Sequence, residues 1–575
     1  MVIYFEFTCE REMPDTSVER PLGSGTAGDP FQISTVGELY WFTGFTNNYV
    51  AVGEDFAVER NKAHAILMKD ITVNPEMLDS YGLNANSSLL ADWSPICASK
   101  DSPYCGTFDG QGYSISGLYY NTPGYQYDAY GFIAYMGEGG AVKDLTVKDT
   151  YFYIKYTSHF TPYVAGIAAY SSNATNTIEN CHFDGVAGGD SYSKGCVAGG
   201  ITAVTGGKIQ NCTAKGRVLG YDSYVGYGKA GGIAGHAYST AAISDCINYA
   251  EVLCWDSGSG QGTAGGIVGY LYGTVKDCSN RGVINGYDRG NNNNAGGIVG
   301  WASGTAEQKV VISRCFNMAY FSGSGIVDYI SKGYVEVKNC YNAGSVTIGI
   351  AGITNGAGIS ITYCHDVGYT GMPIGGYSST DDVEIDHCYY IDRVSYDTDR
   401  NPMTDAKLSE EFADGTVLAL LNNGHWTQGG SYPVLADFSR LEGTVKAESF
   451  LAAPIVVSLT PAGETEVAYQ TEVEDGAYTL ADVPYGEYTL TVTKLGYQTR
   501  SQTVTVDQSV CRFDITMEKG GDVDESGETT AADLTLLLQL LTGASAEADR
   551  SAADLNGDSA ISIADAVILA RVLSN

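Results

Sequence analysis

The stretch AGGIVGYLYGTVKDCSNRGVI, Ala264 to Ile284, decides the fold. It is one copy of a recurring pattern. AGGIAG (Ala230 to Gly235) precedes ISDCINYAEV, and AGGIVG (Ala295 to Gly300) precedes ISRCFNMAYF, with weaker copies from about Tyr130 to Tyr390. Cys181, Cys212, Cys246, Cys278, Cys315, Cys340, Cys364 and Cys388 mark one place in the repeat, at steps of 31, 34, 32, 37, 25, 24 and 24 residues. Self-similarity at such a period signals a solenoid. Each copy holds two short β segments separated by turn residues, and the absence of helical periodicity excludes helical repeat arrays. The expectation is a mainly β chain with a right-handed parallel β-helix over 21–400, in which stacking makes continuous a core that no coil could bury alone.

The pattern predicts its own geometry. Val275 and Cys278 are three apart, so a regular strand cannot point both inward. A bend must lie between them, and the residue before the cysteine is its expected site: Asn180, Asn211, Asp245, Asp277, Arg314, Asn339, Tyr363 and His387. Asn and Asp tolerate the left-handed backbone that such a bend needs. Beyond it, Cys278, Asn280, Gly282 and Ile284 share one face, and Asn248, Asn280, Asn317 and Asn342 form an internal column of stacked amides. The cysteines are read as a buried column rather than a disulfide set, and no CxxC or Cys/His cluster suggests a metal. Asp245 and Asp277 would lie one coil apart, about 5 Å by strand spacing. That separation is reminiscent of a glycosidase pair, but the bend accounts for both, and no catalytic residue is assigned.

Composition narrows the function. A formal charge of -35 opposes nucleic acid and anionic membranes. No run of about 18 apolar residues reads as a membrane span. MVIYFEFTCERE, at residues 1–12, has a short apolar run followed by charges and does not read as an export signal. Three inserts begin alike, at Tyr221–Asp222, Trp255–Asp256 and Tyr287–Asp288, and should leave the solenoid at one corner. Aromatic faces beside carboxylates suit sugars, which makes these six residues the candidate glycan-binding set. The competing reading is that the aromatics cap the coils and the aspartates start turns.

The ends carry different signals. GSGTAGDPFQISTVGELYWF (Gly23 to Phe42) and WSPICASKDSPYCGTFDGQGYSISGLYY (Trp93 to Tyr120) resemble the opening rungs of bacterial β-helical surface proteins with GLUG-type repeats. Cys97 and Cys105 flank a short loop there and could close a local disulfide. MTDAKLSEEFADGTVLALLNNG, Met403 to Gly424, reads as a short helix capped by Thr404, with Leu408, Phe412, Leu418 and Leu421 as its apolar set. With HWTQGGSYPVL it forms the expected C-terminal cap, 401–440. From Leu441 to about Met517 the sequence alternates at period two, with turns at Asp475–Gly476, Pro484–Tyr485–Gly486 and Leu495–Gly496, which predicts an antiparallel β-sandwich of about seven strands over 441–518. GAYTLADVPYGEYTLTVTKLGYQ resembles the carboxypeptidase-regulatory-like modules of secreted bacterial proteins, which implies a spacer.

The last segment, 519–575, repeats an oxygen-rich loop followed by a helix. Asp522, Asp524, Ser526, Glu528, Thr530 and Asp533 fall at positions one, three, five, seven, nine and twelve of one loop. Asp554, Asn556, Asp558, Ala560, Ser562 and Asp565 fall at the same positions of a second, with position seven contributing a backbone carbonyl. Ser559 stands where the second loop's turn would take glycine. The double motif resembles a type I dockerin. The resemblance implies two calcium ions, a small all-α module, a cohesin partner on a scaffoldin or cell-surface protein, and an extracellular or cell-surface location. It also implies partner-reading positions at Ala531, Ala532, Leu538 and Gln539, then at Ile563, Ala564, Ala570 and Arg571. Without a cation the carboxylates repel, so the tail is expected to fold with calcium.

Two functions are compatible with these signals. In the first, the β-helix is an adhesive or glycan-binding surface for polysaccharide utilisation, attached through the dockerin in cellulosome fashion. In the second, it is a polysaccharide hydrolase or lyase. The repeats show no acid cluster with a Lys or Arg base, which favours the first.

Overall fold

The computed structural model describes residues 17–49, 58–83, 87–123, 128–156, 160–192, 194–222, 227–256, 262–288, 294–354, 358–376, 383–392, 404–429, 431–436, 438–447, 454–462, 467, 469–473, 476–484, 486–506, 510–517, 520–524, 526, 529–543, 550–556 and 560–573. The chain divides into two compact units, Met1–Leu435 and Ala436–Asn575. Among the described residues no helix is long and apolar enough to cross a membrane.

The first unit winds into a parallel β-helix with four faces. One coil shows the path: Thr274–Lys276 on the first face, Ser279–Asn280 and Ile284–Asp288 on the second, Asn294–Gly296 on the third, Val299–Ala302 on the fourth. Each strand pairs in parallel with its counterpart in a neighbouring coil. Among the described residues the first-face sheet has twelve strands, from Phe31–Ile33 to Val383–Asp386, whereas the third has six and ends at Asn294–Gly296. Past that point the third face survives as single bridges, Gly296 to Ser324, Ser324 to Ile348 and Ile348 to Met372. This is why the cysteine step falls from 37 to 25 and 24 residues.

The core is a set of columns. On the first face, Val142, Ile178, Ile209, Ile243, Val275, Ile312, Val337, Ile361 and Ile385 stack in register. The bend residues take the left-handed conformation at every expected site, with φ between 50° and 55° from Asn180 to His387. All eight repeat cysteines are buried and free. Each thiol donates to the carbonyl two residues back, as Cys278 does to Lys276 O at 3.1 Å and Cys246 to Ser244 O at 3.0 Å. The bend thus needs a small residue that can give a weak hydrogen bond into it, which the thiol supplies and valine would not.

The amide column forms and has a direction. Asn248 Nδ2 donates to Asn280 Oδ1 at 2.8 Å, Asn280 to Asn317 at 2.9 Å, Asn317 to Asn342 at 2.9 Å, and Asn342 to Asp366 Oδ1 at 2.8 Å. Each of the four asparagines also clips its own turn: Asn280 Oδ1 accepts from Gly282 N (3.2 Å) and its Nδ2 donates to Gly282 O (3.0 Å). The third residue of each AGG motif faces this column. A Cβ on Gly266 would lie 2.5 Å from Asn280 Cγ, and one on Gly297 would lie 2.7 Å from Asn317 Cγ. The core is one amide thick there, so motif glycine and internal asparagine require each other.

Both ends are closed. The N-terminal plug is helix α1, Val36–Thr46, which the sequence reading did not anticipate. Thr35 and Glu38 form a capping box, the signal by which it could have been found. Its Trp41, Phe42 and Phe45 pack around Phe31, with ring centroids 5.2, 6.1 and 5.5 Å away. Cys97 and Cys105 behind it are free thiols, not the disulfide considered above.

The C-terminal cap corrects an expectation. Thr404 does not cap a helix; Thr404–Lys407 is a strand, parallel to Cys388–Ile391. The helical signal after it is split into α2 (Ser409–Ala413) and α3 (Thr416–Leu420), because Gly415 between them is left-handed at φ 91°. Phe412 and Leu421 are buried as expected, but Leu408 is 58% exposed. The cap covers an outward ladder of rings, Phe316, Tyr341, His365 and Tyr389. His365 is fully buried, and its Nε2 donates to Pro433 O at 2.8 Å.

The second unit begins with the β-sandwich. One sheet orders Tyr469–Glu472, Val456–Pro461, Gly486–Thr493 and Arg500–Val506, all antiparallel. The other sets Phe438–Lys446 between Ala477–Pro484 and Val510–Arg512. It includes parallel pairs, because Val510–Arg512 and Ile515–Thr516 both run alongside Phe438–Lys446 in the same direction. Two helices of the tail, α4 (Ala531–Leu541) and α6 (Ile563–Val572), pack over Val523, Leu537, Leu555 and Leu569, with the short α5 (Arg550–Ala553) between them in sequence. The junction is bonded to both sides: Gly520 N donates to Gly496 O (3.0 Å), Gly521 N to Ala552 O (2.9 Å), and Gly496 N to Leu555 O (3.1 Å).

Candidate functional site

The two tail loops are built alike. Thr530 caps α4 and Ser562 caps α6, each in a capping box whose acidic member is the twelfth loop residue, Asp533 or Asp565. Asp533 Oδ1 accepts from the backbone N–H groups of Val523 (2.7 Å) and Asp524 (3.0 Å), and Oδ2 from Thr530 N (2.6 Å). Asp565 repeats this with Leu555 (2.9 Å), Asn556 (3.2 Å) and Ser562 (2.7 Å). Both aspartates are fully buried. One residue therefore ends the loop, starts the helix and draws the loop's first residues inward.

In the first loop, oxygens of Asp522, Asp524 and Asp533 lie within 4.8 Å of one another. Ser526 N donates to Asp522 Oδ1 (2.9 Å) and Asp524 Oδ1 (3.1 Å). The hydrogen bond from the Ser526 side chain is the main cause holding the Asp524 carboxyl below its usual range. The donor set is all oxygen, with one carboxylate buried beside two others, and it fits a hard divalent cation. Of the remaining expected ligands, Asn556, Ser562 and Asp565 repeat the bonding of Asp524, Thr530 and Asp533, while Glu528 and Asp558, like Ser559, lie outside the described residues.

The helices present a surface. Ala531, Ala532, Leu538, Gln539, Ile563, Ala564 and Arg571 are exposed or nearly so, and Ala570 is half-buried. Leu538, Ile563 and Val567 are 48, 74 and 47% exposed, an unusual amount of apolar side chain for so small a module.

On the β-helix, Tyr221, Trp255 and Tyr287 come into register on successive coils, as do Asp222, Asp256 and Asp288. Tyr221 and Trp255 meet edge to face at 6.0 Å, so they do not form a flat platform. Asp222 is fully buried and cannot meet a ligand from solvent, which corrects its place in the candidate set. The side chains of Asp256, Tyr287 and Asp288 lie outside the described residues. Asp245 and Asp277 serve the bend. Asp245 accepts from Gln210 Nε2 (3.1 Å), with burial raising its carboxyl, and Asp277 pairs with Arg314 and with Lys276 (3.3 Å). The sequence reading passed over the side chains directly after each AGGI(A/V)G motif, although their alternation at His236/Tyr238 and Tyr270/Tyr272 marks them as outward-facing.

The fold and loops together define a modular protein: a capped β-helix, a β-sandwich and a duplicated calcium-loop module. The last two modules are identified more closely. Residues 440–518 match the carboxypeptidase regulatory-like domain, and residues 520–574 match the type I dockerin domain, a calcium-binding module. Among solved structures, a candidate immunoglobulin A1 protease from Bacteroides ovatus is 18% identical, over 72% of this chain and 94% of that one, at a TM-score of 0.34. Two interface mutants of a type II cohesin–X–dockerin complex from Acetivibrio cellulolyticus, a C-terminal and an N-terminal one, are 22% and 21% identical. Each covers 24% of this chain and 95% of its own, at a TM-score of 0.14. No curated protein matches.

Proposed function

We propose that this chain is an extracellular component held by a cohesin through its dockerin, with the β-helix as glycan-binding cargo in cellulosome-type polysaccharide utilisation. The observation that carries the reading is the duplication. Asp533 and Asp565 make the same backbone bonds in two loops, each loop feeds a helix, and the helices leave Leu538, Ile563 and Val567 exposed. Asp522, Asp524, Ser526, Thr530 and Asp533 would hold one calcium ion. Asp554, Asn556, Asp558, Ser562 and Asp565 would hold a second, and position seven, Glu528 in the first loop and Ala560 in the second, would give each ion a backbone carbonyl. The ion supplies the positive charge that lets these carboxylates sit together. The protein's own residues do the rest: the position-twelve aspartates hold the loops to the helices, and the apolar helix positions bury against the partner.

The half-exposed Trp255, in register with Tyr221, supports the glycan part of the reading. The test is surface plasmon resonance of the full chain against a panel of type I and type II cohesins, with calcium and with chelator. Calcium-dependent binding to at least one cohesin is expected. A chain that binds none of them, or binds equally well in chelator, would refute the attachment.

A further inference from the structure

The N-terminal end of the solenoid carries a loop that the regular coils lack. Ile96 bridges Ile133 and Tyr104 bridges Met136, both in parallel. The earlier segment takes eight residue steps between these bridges where the later one takes three, so 97–103 must loop outward. Cys97 starts the loop in the left-handed conformation, at φ 48°. Asn47, the C-cap of α1, ties it down: Nδ2 donates to Pro95 O (2.7 Å) and Oδ1 accepts from Ala98 N (2.7 Å). Within the loop, Ser102 N donates to Ser99 O (3.2 Å) and Asp101 N to Ser99 Oγ (3.3 Å). The loop is therefore held in shape by the protein itself, without a ligand.

Between this loop, the end of α1 and the next two coils lies a hollow of about 500 Å³. Four rings line it. Tyr135, at the end of strand Ile133–Tyr135, and Tyr156, at the end of strand Thr146–Tyr156, are buried and form its inner surface. Tyr49 and Phe160 stand at its rim, 66 and 48% exposed. Tyr135 Oη donates to Asp128 Oδ1. Burial, reinforced by Asp128, pushes the Tyr135 phenol above its usual range, so it stays protonated and holds that carboxylate in place. Asp128 Oδ2 has no partner among the described residues. Lys100, Asp101 and Ser102 complete the lining and are exposed.

This lining selects by charge and by shape. Two carboxylates repel an anion and Lys100 opposes a cation, so a neutral ligand is favoured. Donors and acceptors side by side suit a group that does both, which is a hydroxyl. Aromatic faces among them suit the C–H face of a pyranose. The volume is that of a small-molecule pocket. Three chain segments wall the hollow, so it can receive the end of a chain more readily than pass its middle through.

We infer that this hollow binds the neutral end of a glycan chain, with a pyranose ring stacked on the rim rings Tyr49 and Phe160 and its hydroxyls bonded to Asp128 and Lys100. The inference rests on the glycan-binding reading above, and it places the ligand at the N-terminal end of the solenoid rather than at the Tyr221–Trp255 corner.

The test is calorimetric titration of the full calcium-loaded chain with cellotetraose, xylotetraose, mannotetraose and tetragalacturonate. The parent should bind at least one neutral sugar about tenfold or more tightly than the acid. The hexasaccharide of that sugar should bind with the same affinity per chain, because only the end enters. Tyr49→Ala and Phe160→Ala should each weaken binding by about fivefold or more. Trp255→Ala, and Tyr369→Ala at an exposed ring elsewhere, should change nothing. Each variant's melting temperature reports that it is folded. Affinity unchanged in both Tyr49→Ala and Phe160→Ala overturns the hollow, and if it is lost instead in Trp255→Ala the glycan reading stands at the other corner. Tetragalacturonate binding as tightly as the neutral sugars overturns the neutral ligand, and a hexasaccharide about tenfold tighter than its tetrasaccharide overturns the chain end. A parent that binds none of the three neutral probes overturns the inference, and one that also binds no plant polysaccharide overturns the glycan reading as well.

Discussion

Replacing Asn280 by alanine should cost the β-helix about 3–5 kcal/mol. Asn280 is fully buried and takes part in four hydrogen bonds: from Asn248 (2.8 Å), to Asn317 (2.9 Å), and to and from Gly282 (3.0 and 3.2 Å). Alanine leaves both ladder neighbours and the Gly282 backbone short of a partner, in a core too thin to admit water. Each buried group left unpaired costs about 1–3 kcal/mol, and the losses overlap because Asn248 and Asn317 keep their own turn bonds. Asn280→Asp should be at least as damaging at pH 7, since it keeps the two acceptances, loses both donations and aims a buried charge at Asn317 Oδ1. It should recover as pH falls and the protonated carboxyl can donate again. Asp366→Asn is the control. An amide there can keep Asn342 and Gly368 on its oxygen and donate to the Thr370 hydroxyl, so it should cost within about 1 kcal/mol. Urea unfolding followed by far-ultraviolet circular dichroism gives the differences from midpoints at constant slope. A loss under about 1 kcal/mol for Asn280→Ala, or equal losses for Asn280→Ala and Asp366→Asn, would refute the ladder as a source of stability.

Acid should loosen the C-terminal cap: burial holds His365 at about 3, below its unfolded value of 6.5, so the stability it contributes is present above pH 6.5 and lost as pH falls toward 3, about 2 kcal/mol by pH 5. Hydrogen exchange across 404–429 should rise over that window, and His365→Phe should abolish the dependence. Gly266→Ala, which puts a Cβ 2.0 Å from Gly297 O, should cost at least about 3 kcal/mol, whereas Gly28→Ala, with nothing within 4 Å, should stay within about 0.5 kcal/mol by thermal unfolding. Chelator should reduce the helical circular dichroism of the 520–574 module within the intact chain. Asp533→Ala and Asp565→Ala should each raise the calcium needed to restore it by about tenfold or more, and an unchanged midpoint in both would contradict the loop assignment.

The repeat region was legible because its period and parity are local. The three-residue step from Val275 to Cys278 demanded a bend, and eight left-handed residues supply it. The asparagine column followed from the same parity. What stayed hidden depended on contacts between distant segments or on one backbone angle. Asp366, which ends the ladder, reads in sequence as one more aspartate. The split of the cap helix turns on Gly415, and the strand at Thr404–Lys407 exists because the last coil offers an edge to pair with. Asp222 looked like its neighbours in sequence, yet it falls on the inward side of its strand.

The one-way run of amides from Asn248 to Asp366 has a consequence for how such a molecule can change length. Every interior rung receives one bond and passes one on, so a coil copied or deleted between Asn248 and Asn342 leaves the tally of donors and acceptors unaltered. Gene duplication can lengthen the rod there without inventing new core chemistry. The terminal carboxylate can accept but not donate, so a copy of its own coil would set one carboxylate against another, and lengthening without new core chemistry falls between Asn248 and Asn342.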